Sequence, residues 1–387
     1  MKFITKILFA VLVLAVLMLA LSGCGNAGQV VNVFNWGEYI SDSSGVINVL
    51  KEFEAETGIK VNYTTYATNE ELYSKLKSSG ANYDIVIPSD YMINRLIKED
   101  MLEKIDFDNI PNFDNIMDEY KNLEFDPTGE YSAPYTWGTV VLIYNTKYVK
   151  KPVDSWDILW DEDYKGKIIM FNNSRDAFGI SLKRLGYSLN TVDIRELEHA
   201  ADELKKQKEF VQGYFMDEIF NKMGGEEAYI APYYAGDALT MIDDNPNLAA
   251  AYPKEGTNIF VDSICIPKGA KNKEAAEKFI NFLYKPEIAA ANSRYIGYST
   301  PNRKAYELLD KELRNNGITY PSDEILAHTE MFLNLPDDIN VKIDSLWIDI
   351  RGASSDNIWL FPVILVIVVA LFAALIIAGK KRKKSNQ

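Results

Sequence analysis

Two long apolar runs bracket this 387-residue chain, and between them apolar positions recur with two different periods. Val30 to Phe34 reads as a short β-run. Val46, Val49, Leu50 and Phe53 then recur at helical spacing, and Gly58 follows as a stop. Ile59 to Tyr66 alternates and is rich in β-formers. Thr68-Asn69-Glu70-Glu71 has the spacing of a capping box and predicts a helix through Lys77. Asp84 to Ile87 reads as a buried strand ending at Pro88-Ser89, and a further helical stretch follows Tyr91. This β-α-β-α-β order predicts a parallel sheet with helices on both faces. In such sheets ligands sit beyond the carboxyl ends of the strands. That rule selects Trp36-Gly37-Glu38-Tyr39 and Ser89-Asp90-Tyr91.

A second αβ region begins near Val140. Ile168 to Phe171 is a strand, followed by Asn172-Asn173-Ser174-Arg175-Asp176 and a helix to Gly186. Tyr229 to Tyr234 is another strand, ending at Ala235-Gly236-Asp237. Phe260 to Ile266 is a strand carrying Asp262. A helix over Glu274 to Leu283, a loop at Gly297-Tyr298-Ser299-Thr300-Pro301 and a polar helical tail complete the pattern.

The flanking runs read as membrane signals. Lys2 and Lys6 precede an apolar stretch from Ile7 to Leu21, the layout of a secretory signal over residues 1–23. Leu21-Ser22-Gly23-Cys24 resembles a bacterial lipobox, in which Cys24 is lipidated and becomes the mature N-terminus. An ordinary signal peptide or an uncleaved anchor is the alternative. At the other end, Ile358 to Gly379 is 22 residues without a charge. As a helix it spans roughly 33 Å, enough to cross a hydrocarbon core. Lys380, Lys381, Arg382, Lys383 and Lys384 follow at once, so the tail over 380–387 is expected in the cytoplasm and residues 25–357 outside. Residues 351–357 read as a linker to this transmembrane helix.

About 330 residues between the runs are more than one core usually serves, so two lobes are expected. The chain carries a net charge of −14; without the two signal lysines and the five terminal cations, 34 basic residues face 55 acidic ones. An acidic exterior argues against nucleic acid and anionic substrates. Cys24 and Cys265 are the only cysteines, which leaves no disulfide framework, and Cys265 reads as a buried apolar residue. Neither His199 nor His328 has a second ligand at metal-binding spacing, so no metal or other cofactor is expected.

The strand ends share one chemistry. Glu38 lies between Trp36 and Tyr39, Tyr91 follows Ser89, and Asp176 precedes Phe178 by two residues. Asp237 follows Tyr233 and Tyr234, Asp262 follows Phe260, and Tyr298 joins from a loop. Any one of these acids could simply cap the next helix. Together they form a pattern: carboxylates bind ammonium groups, and ring faces cover methylenes and attract cations. A slender polyamine is the complement of such a set.

These residues carry a resemblance. The stretch from about Asn32 to Trp347 resembles the substrate-binding proteins of bacterial spermidine/putrescine importers. The likeness is carried by Phe34-Asn35-Trp36-Gly37-Glu38-Tyr39, Tyr83 to Ser89, Pro134 to Gly138, Arg184 to Ser188, Val261-Asp262-Ser263 and Ile296 to Asn302. It implies an α/β, type II periplasmic-binding-protein fold, with two αβ lobes around a ligand cleft. The N-lobe would comprise 30–137 with 262–306, and the C-lobe 138–261 with 307–350. Trp36, Glu38, Tyr39, Ser89, Tyr91, Asp176, Tyr234, Asp262 and Tyr298 match polyamine contacts, and Asp237 matches an acid of putrescine-preferring relatives. The chain departs from the family at Asn173, where spermidine binders place an Asp, and at Tyr234 and Phe260, which replace tryptophans. Gly37 replaces a hydroxyl residue. The implied function is capture of putrescine or spermidine at the outer, extracellular or periplasmic, face of the cell membrane. The partners would be an ABC permease and its ATPase, and the chain itself would not be an enzyme. Rival readings are a same-fold receptor for another small cationic solute or a metal, and a glycosidase using Glu38 and Asp262.

Overall fold

The computed structural model describes residues 29–42, 47–78 and 82–352. The signal segment, Cys24, the end of the linker, the 358–379 helix and the basic tail lie outside the described residues. Among the described residues no helix is long and apolar enough to cross a membrane.

The first half follows the period of its sequence. Strand β1 (Val30–Trp36) leads to helix α1 (Val49–Thr57), strand β2 (Lys60–Tyr66), helix α2 (Asn69–Lys77), strand β3 (Ile85–Val86), helix α3 (Asp90–Lys98) and strand β4 (Leu102–Glu103). Helix α1 stops at Gly58, whose φ of 72° is left-handed and whose N–H donates to Glu54. The capping box opens α2: Thr68 Oγ1 accepts from the Glu71 N–H at 3.1 Å, and Glu71 reaches back to the Ala67 N–H at 3.0 Å. Strand β1 pairs in parallel with β2 on one side and β3 on the other.

Two long strands then carry the sheet onward. Strand β5 (Ser132–Asn145) precedes β6 (Ile168–Phe171), helices α4 (Ser174–Arg184) and α5 (Ile194–Gln207), β7 (Val211–Phe215) and α6 (Ile219–Gly224). Strand β8 (Ile230–Tyr234), α7 (Ala235–Asp244), β9 (Leu248–Ala251), β10 (Thr257–Pro267), α8 (Lys273–Leu283) and α9 (Pro286–Ile296) follow. The sheet order is β2-β1-β3-β10-β5-β8-β6-β7. Strand β10 is antiparallel to both β3 and β5. Strand β5 pairs with β10 as far as Thr139, then exchanges it for β8 from Val140 to Tyr144. The β5–β10 ladder shifts register between Asp262 and Ser263, and such an irregularity re-aims the side chains beside it.

The apolar core gathers on both sides of this exchange. One body packs β6, α4, α5 and β8 around Phe171, Phe178, Leu197 and Tyr233. The last helix among the described residues, Asp337–Arg351, seals it with Ile339, Ile343, Trp347 and Ile350, so the polar tail buries one apolar face. The other side joins α1 to α8, where Phe53 meets Phe279 edge-on at 4.9 Å. Cys265 is fully buried beside Phe34, Val86 and Leu96. Each such large apolar side chain stabilises the fold by about 1.5–3 kcal/mol.

Candidate ligand-binding cleft

The ends of β1, β3, β6, β7 and β8 open on one cleft of about 650 Å³, with Phe260 and Asp262 of β10 in its wall. Nine sequence-selected residues line it: Trp36, Tyr39, Ser89, Tyr91, Asp176, Tyr234, Asp237, Asp262 and Tyr298. Glu38 does not. It stands exposed at the rim on left-handed backbone, with φ 48°.

The rings are fixed by their polar tips. Trp36 donates its indole N–H to the Ile87 carbonyl at 2.8 Å, and Tyr66, tilted against it, donates to the same carbonyl at 2.7 Å. Tyr39 packs edge-on to Tyr298 at 4.8 Å, and Tyr234 edge-on to Phe260 at 5.6 Å. Tyr298 comes close to the start of α7 because residue 236 is glycine. A Cβ there would lie 2.2 Å from its ring.

Three of the inward acids are each held by one tyrosine hydroxyl. Tyr39 donates to Asp262 Oδ2 at 2.6 Å, Tyr234 to Asp176 Oδ2 at 2.8 Å, and Tyr298 to Asp237 Oδ2 at 2.8 Å. Asp262 Oδ1 is buried and has no partner. Asp176 and Asp237 sit in the first turns of α4 and α7, where the helix dipole favours an anion. Neither is the cap. Asn173 caps α4 by accepting from the Arg175 N–H at 3.0 Å, so its side-chain carbonyl serves the helix.

Burial sets the electrostatics. It pushes the Asp176 carboxyl up to about 7, a rise the Tyr234 hydrogen bond opposes. It pushes Asp262 up to about 6, against the Tyr39 hydrogen bond and the weaker influence of the Ser89 hydroxyl, which lies nearby without forming a hydrogen bond to it. Burial likewise raises Asp90 and Asp237 well above the usual carboxylate range. A cleft so lined gains by admitting cations, which restore the ionised form.

One cation is already built in. The Arg175 guanidinium lies 4.9 Å from the Tyr91 ring centre and 4.7 Å from that of Phe332. It donates to the Leu333 carbonyl at 3.2 Å. Tyr91 in turn donates its hydroxyl to Glu70 at 2.8 Å. The sequence pattern gives Arg175 no role and does not mark Asp217, Met216, Asn258 or Phe332 as lining residues. Asp217 and Met216 follow β7, so the strand-end rule reaches them once β7 is recognised. Phe332 lies in the tail, where no pattern marked it. Among the described residues no group of three or more His, Cys, Asp or Glu side chains is placed to hold a metal ion.

Residues 48–320 match the family described as bacterial extracellular solute-binding protein. The chain belongs to this family. As a solute-binding protein it is extracytoplasmic and not an enzyme, and it has the α/β periplasmic-binding-protein fold. It is 39% identical over 300 residues to the spermidine/putrescine-binding periplasmic protein of Escherichia coli K12, covering 77% of this chain and 84% of the relative. Among solved structures it resembles the substrate-binding protein PotD of the spermidine/putrescine ABC transporter of Streptococcus pneumoniae. That likeness has a TM-score of 0.71 at 38% identity, over 84% of this chain and 98% of the other. The TpPotD lipoprotein of Treponema pallidum is similar with a TM-score of 0.73 at 26% identity, over 84% of this chain and 99% of the other.

Proposed function

We propose that this solute-binding protein captures spermidine or putrescine outside the cytoplasm and delivers it to an ABC importer. The observation that carries the reading is the convergence of Asp176, Asp237 and Asp262, each with a tyrosine donor, on one ring-lined cleft. Tyrosine donors leave the remaining carboxylate lone pairs for ammonium groups, and Trp36, Phe260 and Tyr298 supply faces for the methylenes between them. The contacts are Trp36, Tyr39, Ser89, Tyr91, Asp176, Tyr234, Asp237, Asp262 and Tyr298, with Glu38 joining from the rim. The fold is of type II, its lobes meeting where β5 changes neighbour and β10 crosses beside it, and closing on the ligand. The similarity to polyamine-binding relatives supports the same solute class. Calorimetric titration of the full-length protein in detergent with putrescine, spermidine, arginine and thiamine tests this. Micromolar or tighter binding of an amine, roughly −8 kcal/mol, is expected. Heat with thiamine alone, or with no compound, would refute it.

The receptor is held to the membrane twice, by lipid on Cys24 and by a helix over 358–379 with its C-terminus inside. The lipobox, the uncharged run and the five following cations support this arrangement. Protease added to intact cells should digest the large domain and spare an epitope at Gln387. Loss of that epitope would reverse the topology.

A further inference from the structure

Asp217 follows β7 and lines the cleft beside Asp237, yet no sequence motif marked it. Its Oδ1 accepts from the Tyr233 hydroxyl at 3.3 Å. Its Oδ2 lies over Gly37, across the cleft at the end of β1, where a Cβ would stand 2.4 Å away. Gly37 is not among the positive-φ glycines, so the backbone conformation does not demand a glycine there. What the missing side chain provides is room for a carboxylate from the far side. Asp217 is near enough to help raise the Asp237 carboxyl, after burial and against the Tyr298 hydrogen bond. Partial burial also raises Asp217 itself. Among the described residues neither acid forms an ion pair with Lys or Arg. The same cleft holds Asp262 Oδ1, in a residue only 4% exposed, with no hydrogen-bond partner.

We propose that Gly37 and Asp217 form a compensating pair that places a second carboxylate beside Asp237, so that this end of the cleft grips a terminal primary ammonium with two acids. The inference rests on the polyamine reading above and makes it specific. A primary ammonium carries three N–H donors, and the two tyrosine-held carboxylates retain free lone pairs to accept them. A quaternary ammonium has no donor, and an N-acetylated end has no charge, so neither satisfies both acids.

The test is a four-protein cycle in the full-length protein: wild type, Asp217→Ala, Gly37→Ser and the double variant, each titrated with putrescine and spermidine. Asp217→Ala is expected to weaken both amines about tenfold. Gly37→Ser pushes aside the end of a flexible side chain, so it is expected to lose a similar factor while keeping the thermal midpoint. The double variant should bind no more weakly than Asp217→Ala alone, because the carboxylate that the serine displaces is already gone. Wild-type binding with Asp217→Ala within twofold of it would overturn the pair and leave the polyamine reading standing. Penalties that multiply in the double variant would overturn the coupling. Absence of amine binding in the wild type would overturn both readings.

Discussion

Tyr39 holds one oxygen of Asp262 and leaves the other bare. The hydroxyl donates to Oδ2 at 2.6 Å, while Oδ1 is buried without a partner. A buried acceptor without a donor is costly, and an ammonium group supplies N–H donors together with a charge. Asp262→Asn is therefore expected to lower polyamine affinity by about 2–5 kcal/mol. The ligand-free variant should melt no lower than wild type, since a buried carboxylate has been removed. Calorimetry and thermal unfolding check the two halves. A loss below threefold would put the ammonium away from Asp262.

The acids of the cleft give the ligand-free protein an unusual pH dependence. In the unfolded chain Asp titrates at about 3.9. In the folded protein burial holds Asp176 near 7 and Asp262 near 6. Between those limits the native state binds more protons than the unfolded state, so stability falls as pH rises through about 4 to 7. The surface acids Glu99 and Asp193, pulled down to about 2, lose their contribution only in more acidic solution. Bound polyamine favours the ionised acids, so affinity should rise from pH 5 to pH 8 with release of protons. Thermal midpoints at both pH values, with and without putrescine, read this out. A ligand-free protein more stable at pH 8 than at pH 5 would contradict it.

The period of the sequence made the first β-α-β-α-β unit legible because each element buries one face and announces its end with a cap or a glycine. Strand β6 was legible to the residue, since four buried positions sit between polar neighbours. Three things were not. Strand β5 is almost continuously buried over Ser132–Asn145, and a strand covered on both faces has no alternation to mark the change of neighbours at Val140. Strand β7, Val-Gln-Gly-Tyr-Phe, is only half-buried with a glycine at its centre, so neither it nor Asp217 beyond it stood out. Glu38 has the right neighbours in sequence, but a left-handed backbone turns it to the rim, and side-chain spacing carries no trace of that.

Away from the cleft, one buried acid ties the N-terminal sheet to α8. Asp84 accepts from the backbone and side-chain amides of Asn32 at 2.8 and 2.7 Å. It also accepts from the backbone N–H groups of Lys271 and Asn272 at 3.1 and 2.9 Å, and from the Asn272 side chain at 3.0 Å. Asp84→Ala strands these donors, at about 1–3 kcal/mol for each one left buried and unpaired. A drop of about 3 kcal/mol or more is expected in urea unfolding, with affinity unchanged in the folded protein. A change under 1 kcal/mol would mean that water takes over the donors.

Arg175 helps to set the pH at which Asp176 charges. Its guanidinium lies within reach of Asp176, Glu70 and Asp90, and it opposes the rise that burial imposes on Asp176. Arg175→Met keeps an apolar filling beside Tyr91 and Phe332 but removes the charge. The Asp176 carboxyl should then titrate higher than about 7, because only the Tyr234 hydrogen bond is left to oppose burial. The rise of polyamine affinity with pH should move to more alkaline solution in the variant, while Arg175→Lys should restore most of the original midpoint. Titrations across pH 5 to 9 in buffers of different ionisation enthalpy measure both the affinity and the protons released. An unshifted midpoint in Arg175→Met would show that the guanidinium is structural only, packed against its two rings and electrically silent toward the ligand.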